Sequence, residues 1–203
     1  MNSDLLIIFV KNPVAGKVKT RLAKDIGGQN ALHIYKTLLK RTRAVAEPAD
    51  ADCQVWYSEW IDRTDSWPDE RFDKFLQKGK TLGDRMSHAI RLGFDSGYKR
   101  VVIIGSDCAD LRTEDINSAF RELQKSDAVM GPAEDGGYYL LGLSRYIGEL
   151  FSDKSWSQES LYEQTMETFR KHNSSVKELR MLNDIDTIDD LRRSGIIPEP
   201  LDE

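Results

Sequence analysis

Residues 5–10 read LLIIFV and run straight into KNPVAGKVKTRL at 11–22. Six apolar residues in a row, stopped by a loop that holds Pro13 and Gly16, predict a short strand buried on both faces, as in a parallel sheet. The run is far below the ~20 residues of a membrane-spanning helix. Beyond the loop, Ala31, Leu32, Ile34, Tyr35, Leu38 and Leu39 give a broad apolar stripe, which predicts a helix over 30–46. The alternation continues: a strand at 53–57 (CQVWY), a helix over 82–94 and a strand at 101–104 (VVII). Ile116, Ala119, Phe120 and Leu123 then fall at i, i+3, i+4 and i+7, the spacing of one helix face. Strand and helix in turn predict a parallel α/β sheet. After it the pattern changes, with strands at 128–130 and 138–141 separated only by a glycine-rich turn. A helix over 159–170, a last strand over 176–182 and a short closing helix capped by Thr187 and Asp190 complete the chain.

With 203 residues, 39% of them hydrophobic and 31% charged, the composition fits one soluble domain, expected over 1–195, with a flexible tail over 196–203. The net charge of −5 lacks the basic footprint of a nucleic-acid binder. The first four residues carry no cationic start and no small-residue cleavage site follows, so a cytoplasmic location without a membrane span is expected. Cys53 and Cys108 form no disulfide framework, and His33, His88 and His172 have no ligand spacing. A metal, if one is bound, is therefore held by carboxylates, which favours Mg2+ or Mn2+ over zinc.

Four segments carry candidate chemistry. Lys17, Lys19 and Arg21 cluster beside Gly16 at the carboxyl end of the first strand, where open α/β sheets bind ligands, and such cations suit phosphate oxygens. The loop is not a Walker A loop, since Val18 stands where Ser or Thr is required. Its plain alternative is a solvated basic segment. Asp107, in GSDCAD after VVII, should reach the same edge. A carboxylate facing a phosphate site calls for a divalent cation between them, and the competing reading is a turn or cap aspartate. In NDIDT at 183–187, Asp186 is the preferred second ligand over Asp184, the other being left for helix capping. Asp135, in EDGGYY at 134–139, is a candidate general base, with Gly136, Gly137 and Tyr138 beside it for an acceptor or sugar; ordinary hairpin geometry is the alternative. Gln77 and Gly83 are further candidates for contacts to a nucleotide.

Taken together, KNPVAGKVKTRL, LGDRM at 82–86, VVIIGSDCADL at 101–111, VMGPAEDGGYYLLGL at 129–143 and NDIDTIDDL at 183–191 span almost the whole chain. They resemble a bacterial family of uncharacterised proteins assigned as glycosyltransferases with the A-type nucleotide-diphospho-sugar transferase fold. The resemblance implies a Rossmann-like α/β/α sandwich with a mostly parallel sheet, a nucleotide site at the carboxyl end of its first strands, and a divalent cation on Asp107 and Asp186. It implies an acceptor or sugar role for Asp135, Gly136 and Gly137. Ala109 stands where the family usually has proline, and Asp84 where it usually has glutamate. Asp107 and Asp110 are spaced D-x-x-D rather than D-x-D. The KTRL loop is also similar to that of phospholactate and molybdenum-cofactor guanylyltransferases. The expected activity is thus transfer of a sugar from a nucleotide-diphospho-sugar to a small acceptor. The alternative is nucleotidyl transfer from a nucleoside triphosphate with pyrophosphate release, and a third is a non-catalytic nucleotide-binding domain.

Overall fold

In the computed structural model, which describes residues 2–156 and 158–196, the LLIIFV run is the middle of strand β1 (Asp4–Val10). A single turn of helix, α1 (Ala23–Ile26), and the long α2 (Gly28–Ala46) follow. Then come β2 (Asp52–Tyr57), β3 (Phe72–Leu76), α3 (Leu82–Asp95), β4 (Arg100–Ile104) and α4 (Thr113–Glu122). The chain ends with β5 (Ala128–Pro132), β6 (Tyr138–Leu143), α5 (Leu161–Lys171), β7 (Val176–Glu178) and α6 (Ile188–Ser194). Residues 197–203, most of the expected tail, lie outside the described residues, and Ile196 is buried.

Among the described residues seven strands lie in the order β3-β2-β1-β4-β6-β5-β7, and of these only β6 runs against the others. It is antiparallel to β4 and to β5, as the hairpin turn between 132 and 138 dictates. Alternation along β1 serves two layers. Leu6, Ile8 and Val10 pack with Ile116, Ala119 and Phe120 of α4, whereas Leu5 and Ile7 pack with Met86, Ala89 and Ile90 of α3 and Phe169 of α5. Leu5 to Ile8 are wholly inaccessible, and each such side chain contributes about 1.5–3 kcal/mol through burial. The chain leaves β1 toward β2 and β3, then returns on its other side at β4. The carboxyl ends of β1 and β4 therefore lie side by side.

The strand expected over 176–182 is shorter, because from 179 to 182 only Leu182 bridges, to Ala133. The unanticipated β3, FDKFL, is an edge strand, where exposed and partly buried residues dilute the apolar signal. A smaller cluster of Leu22, Ile34, Leu38, Ile185, Leu191 and Ile196 pins the basic loop, α2 and α6 together. That cluster carries the NDIDT segment to the edge where β1 and β4 end.

Candidate functional site at the carboxyl edge of the sheet

Val18 and Leu22 are buried anchors on either side of Lys19, whose own side chain is only 3% exposed. Its ammonium lies 2.6 Å from Asp107 Oδ1 and 3.1 Å from Asp186 Oδ1. Arg21 adds a guanidinium 3.8 Å from Asp186 Oδ2. The two carboxylates meet because their backbones pair: Ile185 N–H donates to the Asp107 carbonyl at 3.0 Å, and Cys108 bridges Asp184. Lys19 also holds a left-handed φ of +49°, an uncommon conformation for a residue with a Cβ. Burial opposes its charge, but the charges of Asp107 and Asp186 and hydrogen bonds to both outweigh burial, so its pKa lies above the ordinary lysine value. The carboxylates themselves are 34% and 43% exposed, and so remain open to a ligand.

Asp184 completes the acidic group. Burial first, then the charge of Asp107, pushes its carboxyl up to about 7, with Lys19 pulling the other way. A carboxyl whose pKa is raised by folding holds its proton more tightly in the native state, so stability falls as pH rises from about 4, the unfolded value, to about 7. Asp184→Asn is expected to flatten that decline and to raise the melting temperature at pH 8 in metal-free buffer. Melting curves of both proteins across pH 4–8 check this, and an unchanged slope would remove Asp184 as its source.

Supporting groups hold the edge in shape. The Tyr35 hydroxyl accepts from Lys11 N–H at 2.8 Å, donates to the Lys11 carbonyl and lies 3.1 Å from Ser106 Oγ. Asn12 Oδ1 accepts from the N–H groups of Glu59 and Trp60, while its amide donates to the Trp60 carbonyl. Lys17 pairs with Glu59 at 3.1 Å. Between the loop and Asp107 lies a cavity of about 320 Å³ lined by Lys17, Lys19, Arg21, Asp107 and Asp186. A second, of about 240 Å³, joins Arg21 and Asp186 to Asp135 and Asp184, and a third, wide depression places Asp135 beside Arg21 and Ser160.

Asp135 sits on the β5–β6 turn, its Oδ1 accepting from Gly137 N–H at 2.9 Å. Gly136 has φ +82°, and a Cβ there would fall 2.2 Å from the Glu159 carbonyl oxygen. Its own carbonyl accepts from Tyr162 N–H at 2.9 Å, fastening the turn to α5. Gly16, at φ +77°, gives the basic loop its bend.

The structure thus brings together Gly16, Lys17, Lys19, Arg21, Asp107, Asp186 and Asp135. Three others stand apart. Gln77 donates through Nε2 to the carbonyls of Val10 and Trp56, closing the ends of β1 and β2, and accepts from Arg85. Gly83 lies where a Cβ would meet the Phe151 carbonyl at 2.5 Å and the Trp156 ring at 2.6 Å. Tyr138 packs in the α3–α5 core layer, its hydroxyl buried without a partner among the described residues. Neither Asp184 nor Asp186 caps α6; Thr187 and Asp190 do so reciprocally. Tyr35 and Asn12 escaped the sequence reading, since a helix tyrosine and a loop asparagine carry no spacing signal.

The donor set is all oxygen, as Mg2+ and Mn2+ require. One ammonium faces three carboxylates, and the charge of Asp107 adds to burial in raising the pKa of Asp184. Among the described residues no three His, Cys, Asp or Glu side chains converge as a closed cage. Mg2+ commonly takes one or two carboxylates plus substrate phosphates, and Asp107 with Asp186 fits that use.

A crystal structure from Desulfovibrio desulfuricans G20, provisionally described as a nucleotide-diphospho-sugar transferase, superimposes with a TM-score of 0.88 at 35% identity, covering 94% of this chain and 85% of that one. The 4-diphosphocytidyl-2C-methyl-D-erythritol synthase of Anaerococcus prevotii DSM 20548 gives 0.60 at 12% identity, covering 95% and 94%. Rv0371c of Mycobacterium tuberculosis H37Rv, solved in complex with manganese, gives 0.55 at 14%, covering 94% and 97%. These last two speak to the fold alone. No curated protein matches the chain significantly. Sheet order, edge and the D. desulfuricans relative define the class, a transferase of the nucleotide-diphospho-sugar transferase fold. The chain belongs to the bacterial family DUF2064, described as "Uncharacterized protein conserved in bacteria", which matches residues 40–158. Among the described residues no helix is long and apolar enough to cross a membrane.

Proposed function

We propose that the chain transfers a sugar from a nucleotide-diphospho-sugar to a small hydroxyl-bearing acceptor, with Mg2+ or Mn2+ held by Asp107 and Asp186. The observation that carries this reading is the buried Lys19 ammonium between those two carboxylates, with Arg21 beside them, at the joint carboxyl ends of β1 and β4. Bound there, the cation would neutralise charge on the departing diphosphate. Lys17, Lys19 and Arg21 bind phosphate oxygens, and the Gly16 bend lets the loop wrap them. Asp135 takes the proton of the acceptor hydroxyl as its oxygen attacks the anomeric carbon; the bond from that carbon to the diphosphate breaks, and the nucleoside diphosphate leaves. Gly136 and Gly137 keep the turn narrow enough for the acceptor to approach. Gln77 and Gly83 act on the nucleotide site indirectly, by closing the ends of β1 and β2 and by letting the start of α3 pack on Trp156, and Tyr138 supports the turn from the core.

Three cations on one loop also suit a triphosphate, which favours a second reading: attack of a phosphorylated acceptor on the α-phosphorus with loss of pyrophosphate. Thermal unfolding against nucleotide sugars and nucleoside triphosphates, with and without Mg2+ or Mn2+, separates the two. A ligand at ~100 times its Kd adds about 2.7 kcal/mol. The expected result is selective, metal-dependent stabilisation by a nucleotide sugar, lost in Asp107→Asn. Preference for a triphosphate, with pyrophosphate release on turnover, would transfer the assignment to the second reading. Metal dependence that survives in Asp107→Asn would refute the metal site.

A further inference from the structure

A separate cavity of about 310 Å³ lies where the ends of β1 and β2 meet α2 and the segment that follows β2, and shares only Lys11 with the cavity at Asp107. Its lining includes Lys11, which follows β1, and Lys36 and Lys40, one turn apart on α2. Leu39, Tyr57 and Trp67 are its apolar lining. The three ammonium groups have no carboxylate partner among the described residues.

The two acids that line the cavity are already engaged. Asp62 accepts from the Thr64 N–H and hydroxyl, both at 2.8 Å. Asp65 accepts from the Tyr57 hydroxyl, from Trp67 N–H at 3.0 Å and from Lys74 at 2.9 Å. These bonds also fix the walls. From the other side Arg43 donates to the Ser66 carbonyl at 2.5 Å, tying the segment to α2, and the Trp67 ring rests edge-on against Phe72 at 4.9 Å. The cavity is therefore preformed, and its lining combines three cations that lack a carboxylate partner with Leu39 and the rings of Tyr57 and Trp67. Pockets of this build take ligands with few, well-placed polar groups and an apolar body.

We propose that this cavity is a second ligand site, for a small organic anion whose carboxylate or phosphate meets Lys36, Lys40 and Lys11 and whose apolar body lies against Leu39, Tyr57 and Trp67. The inference is independent of the transfer reaction. Lys11 links the two sites: its backbone N–H and carbonyl are both bound by the Tyr35 hydroxyl, which also reaches Ser106 next to Asp107.

Phenyl phosphate is the probe, titrated calorimetrically into the full chain, into a Lys36→Gln/Lys40→Gln double variant and into Arg21→Ala. Both lysines are exposed, so the double variant is expected to keep the parent's melting temperature. Saturable binding is expected, with a component weakened about tenfold or more by the double variant through loss of charged hydrogen bonds; that component is expected to persist in Arg21→Ala, which weakens only phosphate binding at the first cavity. For that component inorganic phosphate is expected to bind about tenfold more weakly than phenyl phosphate, for want of the apolar contact. An absence of saturation, equal binding by the double variant, loss of the lysine-dependent component in Arg21→Ala, or inorganic phosphate matching the probe in that component would each overturn the proposal.

Discussion

Lys19→Ala is expected to destabilise the protein by about 2 kcal/mol and to weaken nucleotide binding about 100-fold. The ammonium is buried between Asp107 and Asp186, and removing one partner of a buried pair typically costs ~3–5 kcal/mol, because a charge is left uncompensated. Water reaches the two carboxylates and screens part of that cost. The affinity loss follows from the absent charge-assisted contact to a phosphate and from the repulsion that the freed carboxylates exert on it. Lys19→Gly gives an internal control. It removes the same charge but relieves the left-handed backbone at φ +49°, so it should be about 1 kcal/mol more stable than the alanine variant. Denaturant unfolding and calorimetry with a nucleotide sugar measure both effects. An alanine variant with the parent's stability and affinity would show the loop to be a surface feature.

Gly136→Ala has the largest expected effect on stability, about 3 kcal/mol. The new Cβ would meet Glu159 at its carbonyl oxygen, Cα and carbonyl carbon at 2.2, 2.5 and 2.7 Å, all backbone atoms that no side-chain rotation can clear. The left-handed φ of +82° adds strain, and the bond from Tyr162 N–H to the Gly136 carbonyl would be strained as the segment moves. For a chain of this size the melting temperature should fall by roughly 6–12 °C. Gly137→Ala is the comparison: its Cβ meets the Asp135 side chain, nearest at Oδ1, 3.1 Å away, and a cost below about 1 kcal/mol is expected. Equal falls in the two variants would contradict the steric argument.

Much of the sheet was legible. LLIIFV and VVII fit strands buried on two faces, and the lack of a helix between 130 and 138 marked where the alternation breaks, though the direction of β6 was not read from it. Strand β3 was hidden because an edge strand such as FDKFL, with Asp73 exposed, has no need of a continuous apolar run. The candidate site was legible one segment at a time, since each segment follows a strand. The pairing of Lys19 with Asp186, 167 residues away, was not. It depends on the Leu22–Ile185 cluster, and no local pattern reports a contact of that separation. Gln77, Gly83 and Tyr138 illustrate the opposite difficulty: a residue within a familiar motif can close strand ends, admit a ring or fill a core.

Because β6 runs backwards, the β5–β6 connection turns around on the rim shared with the basic loop, instead of crossing to the far rim as a helical return would. The acidic turn is thus an interchangeable part. Its strands pair on the β4 side and with β7, and its tip is tied to Leu182 through the Ala133 bridge and the Glu134 N–H, whereas β1 and β2 make no backbone pairing with it among the described residues. The Gly136–Glu159 contact sets the size of the unit, for residues 133–137 and the segment leading into α5 must travel together. Under the proposed function, changes of acceptor are accordingly expected to need paired substitutions in those two stretches, with the β1 and β4 ends left as they are.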